Sequence, residues 1–105
     1  RAGSLALPAM VLGELLYGVA RSGNPAKNGE LLESLVGTLP IIHTDNEIMQ
    51  TFADQKAALS IRGEAVEDAD TLIAATAIVY GATLATGNTR HFRRFAGLRM
   101  ENWCA

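Results

Sequence analysis

Glu14, Asp68, Asp70, Thr86 and Asn88 are the oxygen-bearing side chains that the hydrophobic pattern of this 105-residue sequence places near the ends of helices and strands. In a parallel α/β sheet, ligands bind outside the carboxyl ends of the strands, where helices begin, so all five can converge on one edge. Oxygen donors gathered there suit a hard divalent cation such as Mg2+ or Mn2+, which keeps several waters and needs few protein ligands. Plainer roles exist. Asp68 or Asp70 would also serve as a helix cap. Glu14 is harder to dismiss: it lies among Leu12, Leu15 and Leu16, and a glutamate partly buried in an apolar stripe needs a partner or a task.

Other chemistries find no support. The sequence has no GxxxxGK phosphate loop, no GxGxxG after a strand, no HExxH, no GxSxG and no cysteine pair. Cys104 has no patterned histidine partner, and His43 and Glu47, four residues apart, are better read through helix capping than through metal ligation. His91, among arginines, reads as a surface residue, with contact to a substrate as the lesser alternative. A phospho-receiver pocket would need a lysine at the end of a late strand, and none follows Lys56. Charge is unevenly spread: residues 64–70 carry Glu64, Glu67, Asp68 and Asp70 without a base, whereas residues 90–99 carry Arg90, Arg93, Arg94 and Arg99 without an acid. Such asymmetry marks either a surface for a charged partner or two solvated faces of opposite sign.

The elements that must hold these side chains follow from periodicity. Leu5-Ala6-Leu7 is a short strand closed by Pro8, and Leu12, Leu15, Leu16 and Val19 fall at helical spacing between Ala9 and Arg21. Ser22-Gly23-Asn24-Pro25 breaks that helix, and a second spans Ala26 to Val36, with Leu31, Leu32, Leu35 and Val36 inward and Gly37 at its end. Residues 39–43 form a strand. Thr44 and Glu47 make a capping box that opens a helix to Ile61, with Ile48, Phe52 and Leu59 buried and Arg62-Gly63 as terminator. Thr71 to Tyr80 is apolar almost all round, which predicts a deeply buried helix ended by Gly81. Residues 82–86 and 98–103 complete the strands, with a short helix or turn over 89–94. Helices alternating with strands through short loops predict an α/β fold with a mainly parallel sheet.

With 49% apolar residues the chain is globular rather than disordered. Its length fits one domain over residues 1–105. A single cysteine points to a reducing, cytoplasmic setting, and no apolar run is long enough to span a membrane.

Four motifs in order, Gly13-Glu14-Leu15-Leu16-Tyr17-Gly18, Asp70-Thr71-Leu72-Ile73-Ala74-Ala75, Thr86-Gly87-Asn88-Thr89-Arg90-His91-Phe92 and Glu101-Asn102-Trp103, resemble PIN domains, in particular the VapC and FitB toxins of bacterial toxin–antitoxin pairs. The resemblance covers nearly the whole chain. It implies a parallel-sheet, three-layer α/β fold and a Mg2+- or Mn2+-dependent ribonuclease, the toxin of a type II pair, with an RNA substrate, a cognate antitoxin protein and a homodimeric state. On this resemblance Glu14 matches the acid of the family's E-L motif and Asp70 the acid opening the buried helix. Asn88 stands where many members have Asp, Thr86 matches the hydroxyl that helps hold the site, and Asp68, without a fixed counterpart in the family, would be an auxiliary metal ligand. Arg90, Arg93 and Arg94 would hold the RNA backbone. The family's first strand, with its leading Asp, and the helix after it have no match in this sequence, which lacks an initiator Met. The alternative expectation is therefore an N-terminally truncated, catalytically impaired module that acts by dimerisation or antitoxin binding.

Overall fold

The computed structural model describes residues 5–86 and 89–102. The fold is α/β, built of helices and parallel strands, and the chain divides into two compact units, Arg1–His43 and Thr44–Ala105.

The first unit runs β1 (Leu7–Pro8), α1 (Ala9–Ala20), α2 (Pro25–Val36) and β2 (Ile41–Ile42). β1 and β2 pair in parallel with Leu7 opposite Ile41, and the Leu7 N–H donates to the Pro40 carbonyl at 2.9 Å. Pro8 stands at the N-cap of α1, where its missing N–H costs nothing. The Asn24 side chain caps α2 by accepting from the Lys27 N–H at 3.2 Å, which lets Pro25 take the first helical position. Gly37 follows α2 in a right-handed conformation, so space rather than a left-handed turn requires it: a Cβ there would collide with the Glu33 carbonyl and carboxylate. The expectation that Leu31 and Leu35 face inward fails. Both are exposed, as are Leu16 and Tyr17 on α1, and among the described residues of this unit only Leu7 is buried. Helical spacing identified the amphipathic stripe, but spacing does not say what covers it.

The second unit runs α3 (Asn46–Ile61), α4 (Asp68–Val79), β3 (Thr83–Thr86), α5 (Thr89–Phe92) and β4 (Arg99–Asn102). α3 is capped by Asp45 rather than Thr44: the Asp45 carboxylate accepts from the Ile48 N–H at 2.9 Å. A carboxylate at this position satisfies an orphan donor and also faces the positive end of the helix. The one-residue shift leaves Glu47 in the first turn and puts Ile48 fully inside, together with Leu59. α4 packs against α3 and buries Thr71, Ile73, Ala74, Ala75, Thr76 and Ala77, as its all-round apolar character requires. Its two buried hydroxyls are satisfied along the helix, Thr71 by the Glu67 carbonyl at 3.0 Å and Thr76 by the Leu72 carbonyl at 2.8 Å. Gly63 (φ 76°) and Gly81 (φ 60°) end α3 and α4 in the left-handed region that other residues resist.

β3 pairs in parallel with β4 from Thr83 opposite Arg99 to Thr86 opposite Asn102. Among the described residues the expected strands are thus present as parallel pairs within each unit, β1 with β2 and β3 with β4. β1 and β2 are only two residues long, which limits what they can pair with. Between α5 and β4 the chain is pinned by Phe92 and Phe95, both buried with ring centroids 6.0 Å apart. The Gln55 amide on α3 holds the same segment by donating to the Ala96 carbonyl at 2.8 Å and accepting from its N–H at 3.2 Å, as a neighbouring strand would.

Candidate functional site

Asp70 is the candidate residue that the fold treats most deliberately. It sits in the first turn of α4, where the unpaired N–H groups of a helix favour negative charge. Neither Asp70 nor Asp68 is the cap: Glu67 holds that position and makes no side-chain capping bond. The Asp70 side chain is 18% exposed, and its Oδ2 lies 2.5 Å from Nε2 of His91. His91 is therefore not the surface residue its arginine-rich surroundings suggested. It is half-buried on α5, its ring edge-on to buried Phe92 at 5.7 Å.

Behind His91 stands a run of charge. Arg94 Nε donates to the His91 carbonyl at 3.0 Å, and Nη2 reaches His91 Nδ1 at 3.4 Å. Its Nη1 reaches the Ala65 carbonyl at 3.4 Å and lies 3.8 Å from the Glu64 carboxylate. Glu64 in turn pairs with Arg62 Nε at 3.2 Å, and Arg62 also reaches the Arg94 carbonyl at 3.4 Å. The segment between α3 and α4 is thereby tied to the turn after α5, which holds Asp70 and His91 in register. The sequence hid this arrangement because Asp70 and His91 are 21 residues apart and no local period links them. The block of acids at 64–70 facing a block of arginines at 90–99 was the only signal, and Glu64 with Arg94 is where the two blocks meet.

The other candidates are placed as follows. Asp68 is exposed and forms an ion pair with Lys56 at 2.9 Å. Thr86 is half-buried at the end of β3, opposite Asn102; Asn88 lies outside the described residues. Arg90 and Arg93 are exposed, whereas Arg94 is half-buried and engaged as above. Glu14 lies on α1 of the first unit and is exposed, contrary to the partial burial expected from its leucine neighbours, because α1 buries none of its residues fully. Among the described residues no three His, Cys, Asp or Glu side chains gather into a ready-made metal cage. The donors are oxygens, and one or two carboxylates with water are what Mg2+ accepts, so Asp70 fits an open site of that kind. Among the described residues no helix is long and apolar enough to cross a membrane.

A family model described as PIN domain matches residues 1–98. The chain is 33% identical to ribonuclease VapC2 of Rickettsia felis over 95% of its length and 75% of that protein. It is 32% identical to the tRNA(fMet)-specific endonuclease VapC of Shigella flexneri, over 96% of its length and 76% of that protein. In structure it is similar to VapBC2 from Rickettsia felis bound to a DNA fragment from their promoter, with a TM-score of 0.90 at 33% identity over 95% of this chain and 75% of that one.

Proposed function

The chain belongs to the PIN-domain family, and from that premise we propose that it is a Mg2+- or Mn2+-dependent endoribonuclease, the toxin of a type II toxin–antitoxin pair. The observation that supports this most is the likeness to ribonuclease VapC2 across nearly the whole chain. Asp70 adds the chemistry: an oxygen donor, kept largely from solvent in the first turn of a helix, with one oxygen 2.5 Å from His91 Nε2.

On this reading, carried over residue by residue from the family resemblance, Asp70 and Glu14 are metal carboxylates, Asp68 is auxiliary, and Thr86 and Asn88 are further polar residues of the reaction. A divalent cation bound there supplies charge neutralisation at the phosphodiester and acidifies an attacking water. The protein holds the carboxylates and the RNA. Arg90 and Arg93, exposed beside His91, grip phosphates without reading sequence, while Arg94 fixes the turn that carries them. The partner is a cognate antitoxin, the working form a homodimer and the compartment the cytoplasm. The test is RNA cleavage by the full-length protein in Mg2+ or Mn2+ with and without EDTA. Cleavage that stops on chelation supports the proposal. No cleavage in either metal, with antitoxin binding retained, would replace it with the impaired binding module.

A further inference from the structure

We propose that His91 is a positioning residue for Asp70, and that Arg94 sets the proton on His91 that does the positioning. This rests on the reading of Asp70 as a metal carboxylate. Arginine has donors only, so the Arg94 Nη2 contact at 3.4 Å makes His91 Nδ1 the acceptor. The ring proton then belongs on Nε2, where it donates to Asp70 Oδ2 at 2.5 Å. One carboxylate oxygen is committed to the imidazole, and the rotation that would let Asp70 leave its place is blocked. The other oxygen is thereby presented in a fixed direction. The brace is rigid because its far end is anchored twice, by Arg94 to the Ala65 carbonyl and by Phe92 in the core. Partners of this kind around metal ligands orient the ligand, and their loss costs roughly 10–100-fold in metal affinity.

The experiment is Mn2+ binding to the full-length protein, read by electron paramagnetic resonance of the free ion, for the unsubstituted protein and for Asp70→Asn, His91→Ala and His91→Gln. Glutamine places an amide N–H close to where Nε2 stands, so it restores the bond without the ring. Asp70→Asn is expected to lose the site. His91→Ala is expected to weaken Mn2+ binding by about tenfold or more, and His91→Gln to recover most of that loss. A thermal melt of each variant separates loss of the site from loss of the fold. If Asp70→Asn loses Mn2+ while folded His91→Ala binds it as tightly as before, or more tightly, the positioning role of His91 is wrong and the metal reading stands. If Asp70→Asn binds Mn2+ unchanged, or the unsubstituted protein binds none, the metal reading fails and takes this proposal with it. Equal losses in His91→Ala and His91→Gln would show a packing role for the ring and overturn the hydrogen-bond account.

Discussion

Two acids of the same short stretch, Asp68 and Asp70, are held by different physics. Asp68 meets Lys56 in water, with both side chains more than half exposed. Such pairs contribute little, so Lys56→Ala should lower stability by no more than about 0.5 kcal/mol in urea unfolding. Asp70 meets His91 where both side chains are under one third exposed. Breaking a charge-assisted bond in that setting should cost about 1–2 kcal/mol, so His91→Ala should shift the urea midpoint clearly while leaving the protein folded. For cleavage the ranking is the same: Asp68→Ala should slow the reaction much less than Asp70→Ala. A rate for Asp68→Ala as low as that of Asp70→Ala would show that the Lys56 pair opens and that Asp68 is a principal ligand. The sequence placed both acids at the head of a buried helix. The residue pattern alone does not separate them, although the resemblance ranks Asp70 as the matched acid and Asp68 as auxiliary; what holds them differently is a lysine on α3 and a histidine on α5.

At the level of elements, helices were legible where one chemical signal dominates. α4 announces itself by an apolar circumference, and its burial follows. The start of α3 carries two competing caps, Thr44 and Asp45, one residue apart, and the fold uses the carboxylate. Asp45→Ala should therefore destabilise the protein by about 1 kcal/mol and Thr44→Ala by far less, a contrast that chemical denaturation resolves. The reverse ranking would restore the Thr44–Glu47 capping box. The α1–α2 pair was read correctly as two helices and wrongly in its burial, since periodicity identifies an apolar stripe without identifying its cover. The turn holding Phe92 and Phe95 was the least visible. Its Gln55 bridge joins positions 41 residues apart, a relation no sequence window contains, and its Phe92 and Phe95 side chains are buried against each other.

Across the whole molecule, the exposed Leu16, Tyr17, Leu31 and Leu35 are large apolar side chains that a soluble protein usually covers. Light scattering on the full-length protein is expected to give the mass of a dimer; a monomer at all concentrations would contradict that state. The family was legible because four short motifs keep their order along the chain, although each is weak by itself. The proposed oxygen site built on Asp70 drives metal-dependent cleavage of RNA. Its most direct measurement is the single-turnover cleavage rate of Asp70→Asn against the unsubstituted full-length protein in saturating Mg2+. Asparagine keeps the size of the side chain and an oxygen for His91 but removes the charge that holds the cation. The expected result is a folded variant slower by at least about 100-fold, a loss that misplacement of the reacting groups alone can produce. A folded Asp70→Asn protein that cleaves RNA at the unsubstituted rate would contradict it.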